Sequence, residues 1–424
     1  MTQLAHLKTA LVYDQATTAY GGAELVLTQL HQLFPSAPLF TLFHDPRVAR
    51  WTHGWDVRTS GLQWLYSLIR RHEPLTVLAP LAFEAMSKHL HEFDLVISVS
   101  SSTAKGILTL PHQLHVCYLL TPTRYLTQLD NEYLDTYFLH KVARVLRIDR
   151  PIKKYVARWD QVAARRPDKV IAISQLVKTR IAKQYGYKAD AVVYPPIPSH
   201  KKAGVLAHPY KRYILCISRL VWYKRIDLAI QAVIGNPALP ALIIVGTGAA
   251  AKKLHELTGS AGYVRGAESI EQALQTAHEK NVRIIFLGSC DEADKNALLQ
   301  HCAGLIMPGV EDYGLTAVEA ASHGIGSVIS SQSGVAEILT HPHLAIHLES
   351  ETVKAVNAAI VQLLKHPPKP SSLKKHAQHF DQTAFLTDFS ESVRHFWKSH
   401  SQSMSIPATS IHSLEPRSLI QSAP

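Results

Sequence analysis

The chain has 424 residues, 46% of them hydrophobic and 18% charged, which makes it too long for one ordinary domain and too apolar for a disordered chain. Its formal net charge of +11 excludes an acidic, solvating protein and favours anionic partners. No apolar run approaches the roughly 18 residues of a membrane-spanning helix, and no basic start precedes an apolar block, so no signal peptide is expected.

The first half alternates between strand and helix patterns. Residues 8–13 read as a strand, and a loop ending in Gly21-Gly22 leads into a helix at 23–34 carrying Leu27, Leu30 and Leu33. Glycines before a helix N-terminus let a ligand approach the backbone closely. Residues 61–72 combine Trp64, Tyr66 and Ile69 with Arg70 and Arg71, which fits an interfacial helix or a core-packed one. Strands are expected at 94–99, before the serine run Ser100–Ser102 and Lys105-Gly106, and at 115–119, 169–174 and 191–194. Between Lys141 and Lys169 ten Lys or Arg stand against three Asp. That surplus is either a solvated helical face or a surface attracting an anionic membrane or phosphorylated substrate. Pro195-Pro-Ile-Pro198 breaks the alternation, placing a first domain at 1–197 and a linker at 198–204.

The second half restarts the pattern as a domain spanning 205–384. Strands are expected at 213–217, 241–245 and 282–287, with helices at 225–233, 292–302 and 353–365; residues 259–281 look like an excursion. An amphipathic helix at 385–400 and a Ser/Pro-rich, disordered tail at 401–424 follow. Repeated strand–helix units on both sides of a linker imply two doubly wound parallel sheets, with ligand held between them at strand C-termini. Gly246-Thr-Gly248-Ala-Ala-Ala251 matches a dinucleotide fingerprint, with Glu268 about twenty residues on, but a lone match is weak.

Cys117, Cys216, Cys290 and Cys302 form no C-x-x-C pair and read as reduced, mostly buried thiols of a cytosolic protein. Of 25 histidines, the close pairs His89/His91 and His112/His115 lack partners in a metal-ligand pattern, so no metal site is expected. No nucleic-acid reader signature is present.

Residues 303–339 form the chemical centre. A short strand at 304–307 is stopped by Pro308-Gly309, and Gly314 precedes a helix at 315–323 that Gly324 ends. The helix N-terminus at Leu315 and Thr316 offers N–H groups to an anion. Glu311 stands before that terminus and Glu319 within the helix. Two readings stay open for each. Glu319 either closes a capping box with Thr316 or binds ligand, and Glu311, beside Asp312, is either loop solvation or a ligand group. A glycosidase pair is disfavoured, because eight helical residues span about 12 Å.

The glutamate–seven residues–glutamate spacing resembles the retaining GT-B glycosyltransferases of the "group 1" family. Ser218-Arg219-Leu-Val-Trp-Tyr-Lys224 is similar to that family's phosphate-binding segment, and Gly21-Gly22-Ala-Glu24 to its N-terminal glycine loop. A subgroup of O-antigen and capsule mannosyltransferases is resembled by F-D-L-V-I-S-V-S-S-S-T-A-K-G, T-P-T-R-Y, R-W-D-Q-V-A-A-R-R-P-D-K and V-V-Y-P-P. The resemblance covers roughly residues 8–395. It implies two Rossmann-like domains facing a cleft, with the C-terminal helix crossing back onto the first. By this resemblance Arg219 and Lys224 converge on a diphosphate, Arg as a fork and Lys as a point charge. Leu315 and Thr316 complete the cradle, Glu311 holds donor-sugar hydroxyls and Glu319 the ribose. No cofactor or divalent metal is implied, and anomeric configuration is retained.

The implied activity is hexosyl transfer from a nucleotide-diphosphate sugar, GDP-mannose favoured, to a lipid-linked or polysaccharide acceptor. The implied setting is the cytoplasm, with peripheral contact at an anionic inner membrane face. Arg124 and His115 are the acceptor-side candidates. Leu120 stands where the subgroup has histidine, and Thr127-Gln128 where it has an aromatic–aspartate pair. These departures keep a second reading open: a catalytically silent relative that binds a nucleotide sugar or a partner enzyme.

Overall fold

The computed structural model describes residues 4, 6–70, 73–124, 149–198, 206, 209–210 and 212–404. The linker (apart from residue 198), Thr127-Gln128, residues 141–148 of the basic segment and most of the tail therefore lie outside the described residues.

Two seven-stranded, all-parallel sheets are present, as expected for two doubly wound domains. The first contains β1 (Thr9–Tyr13), β2 (Leu39–Thr41), β3 (Val57–Thr59), β4 (Leu95–Ser100), β5 (Leu114–Leu119), β6 (Lys169–Ala172) and β7 (Ala191–Val192), in the order 3-2-1-4-5-6-7. The second contains β8 (Tyr213–Ile217), β9 (Ala241–Val245), β10 (Gly262–Val264), β11 (Ile284–Gly288), β12 (Gly304–Met307), β13 (Ser327–Ser330) and β14 (Ala345–Leu348), in the order 10-11-9-8-12-13-14. The central strands are buried on both faces, which is why they read as continuous apolar runs rather than alternating ones.

Strand order reverses between β1 and β4 in the first sheet and between β8 and β12 in the second. Doubly wound sheets bind ligands beyond the strand C-termini at such switch points. The loops there are 14–21 and 101–106 in the first domain, and 218–225 and 308–314 in the second. A Cβ on Gly22 would lie 3.5 Å from the Leu315 side chain, so the first domain's glycine loop abuts the second domain's helix N-terminus.

Residues 259–281 are not an excursion. They form β10, parallel to β11, and the helix Ile270–Glu279 with a full capping box at Ser269, so they extend the alternation to the sheet edge. The short β2 and β3 were not expected from the sequence. Three residues are too few to show a pattern.

The last helix, Gln382–Met404, crosses back. Its Phe385 and Phe389 pack edge-on against Tyr118 of β5, and the Phe380 carbonyl just before it accepts from Ile197 N at 2.8 Å.

Candidate functional site

Three of the resembled first-domain motifs meet in one buried knot. The Lys105 ammonium donates to Asp160 Oδ1 at 2.6 Å, to Thr123 Oγ1 at 2.9 Å and to the Ser102 carbonyl. Thr123 Oγ1 and Tyr185 Oη donate to the same carboxylate at 2.6 and 3.0 Å. The side chains of Lys105 and Asp160 are 1% and 3% exposed. Above the knot, Asp14 at the end of β1 accepts from Ser101, Thr103 and Ala104 N–H groups at 2.7–2.8 Å, which fixes the serine loop. These motifs build a platform that carries Arg124, the residue after Thr123.

The glycine loop is pinned by Glu24, which is buried and accepts from Tyr13 Oη at 2.7 Å and Thr18 Oγ1 at 2.8 Å. Burial, then Glu24, pushes the Tyr13 phenol well above its ordinary range; Arg219, across the cleft, is close enough to offset part of this.

In the second domain, Gly309 and Lys224 join the two switch-point loops. Gly309 N donates to the Lys224 carbonyl at 3.1 Å, and a Cβ at Gly309 would lie 2.2 Å from the Tyr223 carbonyl. No other residue fits there. This approach brings the Lys224 ammonium onto Glu311 Oε1 as an ion pair. Arg219 is exposed and donates to Tyr223 Oη at 3.2 Å. The helix Leu315–His323 follows Gly314, whose φ is 92°, and no side chain caps it. Arg219, Lys224, Glu311 and an uncapped helix N-terminus therefore gather where the topology places a ligand.

Glu319 does not close a capping box. It is buried and meets Lys295 of the Glu292–His301 helix at 3.2 Å, with Lys295 also 2.8 Å from Glu292. Burial raises the Glu319 carboxyl above its ordinary value and Lys295 offsets only part of that. Burial alone would lower Lys295, but Glu319 and Glu292 outweigh it and hold the ammonium above its usual range. Glu311 is not loop solvation either, since it is paired with Lys224, and its neighbour Asp312 is buried and paired with Arg124 and Arg180.

The acceptor-side assignments need correction. His115 is fully buried at the N-terminal end of β5, bonded through Nε2 to Ser98 Oγ at 2.8 Å, and burial pulls its pKa down to about 3. It is a core residue and meets no acceptor. Arg124 does reach the cleft, but its guanidinium is engaged by Asp312 and lies 4.6 Å from the centre of the Tyr223 ring.

Gly246 and Gly248 have a local reason. A Cβ at either would lie 1.9 Å from the Ser218 carbonyl or 2.4 Å from the Leu220 carbonyl, so the two loops can meet only through glycine. Glu268, about twenty residues after that glycine pattern, accepts from Tyr263 Oη and Gly266 N. Cys117, Cys216 and Cys302 are buried and Cys290 partly so; burial pushes all four thiols up to about 12. Among the described residues, no group of three or more His, Cys, Asp or Glu is placed to hold a metal ion.

The site includes residues that sequence reasoning missed. Lys295 and Arg180 belong to no spacing pattern, and only packing of distant segments reveals them; Tyr223 lies inside the Ser218–Lys224 segment but was given no role.

Two doubly wound parallel domains with an anion-ready cleft between their switch points define the GT-B architecture. Known proteins resemble the chain in part. Residues 200–380, nearly all of the second domain, match the family described as glycosyl transferases group 1. HepE of Anabaena, solved in complex with UDP-glucose, superposes with a TM-score of 0.63 at 18% identity, over 92% of this chain and 100% of that one. At this identity the likeness carries the fold. The uncharacterized glycosyltransferase YqgM of Bacillus subtilis is 22% identical over 49% of this chain and 54% of its own. The D-rhamnosyltransferase WbpZ of Pseudomonas aeruginosa is 23% identical over 55% of this chain and 58% of its own. The matches thus span little more than half the length of either relative.

Proposed function

We propose that the chain is a retaining glycosyltransferase that moves a hexose from a nucleotide-diphosphate sugar to a lipid-linked or polysaccharide acceptor. The observation that carries this reading is the convergence of Arg219, Lys224, Glu311 and the Leu315–His323 helix N-terminus at one switch point. A departing diphosphate develops negative charge, and a fork, a point charge and a helix dipole aimed at one place stabilise it. In this reading Arg219, Lys224 and the N–H groups of Leu315 and Thr316 take the diphosphate. Gly21 and Gly22 leave room for the donor, and Glu311 takes sugar hydroxyls. Glu319, held by Lys295, takes the ribose. In a front-face route, where the leaving phosphate helps deprotonate the acceptor, the charges gathered at this point matter more than any protein nucleophile. Mannose from GDP-mannose is the favoured donor. The name D-rhamnosyltransferase of one relative and the UDP-glucose bound in the HepE structure support a sugar of hexose type. Release of nucleoside diphosphate that requires acceptor and turns over many times tests this reading; tight donor binding without turnover would support the silent alternative.

The membrane contact is proposed on a second observation. Helix Gln63–Ile69 buries Tyr66 but leaves Trp64 69% and Leu68 76% exposed, and Leu81 on the nearby Ala79–Met86 helix is also exposed. The Asp149–Ala163 helix docks on that second helix through Trp159 Nε1, which donates to Glu84 at 3.0 Å, and it exposes Arg150, Lys154 and Arg158. Apolar side chains beside a basic face suit an anionic bilayer surface. No described helix is long and apolar enough to cross a membrane. Co-sedimentation with phosphatidylglycerol vesicles is expected, weakening as salt rises and weakening further in Leu68→Asp. Equal recovery with neutral and anionic vesicles at every salt concentration would rule this contact out.

A further inference from the structure

Asp312 lies next in sequence to Glu311, yet its partners come from the other domain. Arg124, carried by the first-domain platform, and Arg180, on the Gln175–Tyr185 helix, both pair with its carboxylate. Its carbonyl accepts from Ser174 Oγ at 2.6 Å, the hydroxyl that also caps that helix. Glu337, on the neighbouring second-domain turn, seals the same contact. Its carboxylate accepts from Gln175 N and Leu176 N at 2.9 and 2.7 Å and from Tyr194 Oη at 3.0 Å. The Tyr194 and Tyr313 rings stack at 6.0 Å.

Residues 311–313 are thus gripped from both sides. Their own domain holds Glu311 through Ser333 Oγ, which accepts from Glu311 N at 2.9 Å, and through Gly334 N, which donates to the Glu311 carbonyl at 2.9 Å. The first domain holds Asp312. Arg124 also stacks on Tyr223, whose hydroxyl receives Arg219 and whose neighbour Lys224 pairs with Glu311. One guanidinium therefore touches both loops of the second domain's switch point.

We propose that Asp312 is a positioning residue: through Arg124 and Arg180 it lets the acceptor-side domain set where Glu311 stands, so that recognition of the donor sugar, but not of the diphosphate, depends on the contact between domains. The diphosphate groups Arg219, Lys224 and the helix N-terminus stand on the second domain, and Arg124 reaches Arg219 only at one remove, through the Tyr223 ring. The loop of the sugar-facing carboxylate is gripped directly, because Asp312 pairs with both first-domain arginines across the cleft. Breaking one member of a buried, hydrogen-bonded charge set displaces the others. Packed loops of this kind hold discrete arrangements rather than deforming continuously.

This inference rests on the donor reading above, and its test separates the two. The full chain and Asp312→Asn are titrated with GDP and GDP-mannose, and with UDP and UDP-glucose. Asp312→Asn is expected to bind the nucleoside diphosphate within about threefold of wild type and to lose about tenfold in affinity for the matching nucleotide sugar. Where Asp312→Asn does not fold, Arg180→Gln, altered at a partly exposed residue, is expected to show a smaller loss of the same kind, with Arg180→Lys recovering part of it. Arg124→Ala combined with Asp312→Asn should cost little more than either alone. Equal weakening of both members of a pair, or no change in either, overturns the positioning role while leaving the donor reading intact. Failure of all four ligands to bind wild type overturns the donor reading, and this inference with it.

Discussion

Replacing Lys105 by methionine is expected to destabilise the first domain by about 3–5 kcal/mol, the usual cost of stranding one member of a buried ion pair. Asp160 would keep its charge, or take up a proton, in a place where it is 3% exposed. It would retain only the hydroxyls of Thr123 and Tyr185 as partners. For a domain of this size the melting midpoint should fall by roughly 10 °C. Replacing both members, Lys105→Met with Asp160→Leu, should recover much of the loss, because desolvation of the pair is removed together with its attraction. Chemical denaturation of the three variants reads this directly; a Lys105→Met variant within about 1 kcal/mol of wild type would show that the knot is not a stability element. The same variant should also loosen Arg124, since Thr123 is held by the knot.

Removing the Lys224 ammonium is expected to weaken nucleoside diphosphate binding by at least about 30-fold, within the range for losing one charge of a desolvated pair. The geometry adds a less obvious expectation. Lys224 is paired with Glu311. Under the donor reading, a diphosphate must draw Lys224 away, and the same exchange releases Glu311 to meet sugar hydroxyls. Glu311→Gln should therefore bind the bare diphosphate as tightly as wild type or more tightly, while losing its preference for the nucleotide sugar. Lys224→Ala should lose both. Glu319→Ala should lose affinity for the nucleoside diphosphate with or without the sugar. Calorimetric titration of the three variants with one matched pair of ligands checks this. Equal losses for Glu311→Gln on both ligands would remove Glu311 from the sugar.

Much of this arrangement was legible in the sequence because it depends on local chain chemistry. Gly314, Gly324 and the apolar run before Pro308 mark a strand, a turn and a helix wherever they occur. The spacing of Glu311 and Glu319 survives folding because both lie near that one helix. Arg219 and Lys224 sit between a strand and a helix, and such loops end at the cleft in any doubly wound sheet.

What could not be read depends on segments brought together from afar. Glu319 looked like a cap because Thr316 stands three residues before it; its real partner, Lys295, comes from another helix and no spacing rule connects them. Asp312 was given no role of its own, because its two arginines belong to the other domain. His115 was placed on the acceptor side for its closeness in sequence to Leu120, but β5 carries the chain across the sheet between them. The glycines at 246 and 248 carried a misleading pattern, since tight packing of a loop against carbonyls selects glycine just as a dinucleotide does.

The measurement to make first is thermal unfolding of the full chain with GDP, UDP, ADP and their common sugar conjugates, all with EDTA present. A ligand at about 100 times its dissociation constant adds roughly 2.7 kcal/mol and moves the midpoint visibly. The proposed donor site predicts that one nucleotide family alone raises the midpoint, without metal, and that its sugar conjugate raises it further. No shift with any nucleotide, under conditions where the chain is folded, would contradict a nucleotide-sugar site at Arg219, Lys224 and Glu311.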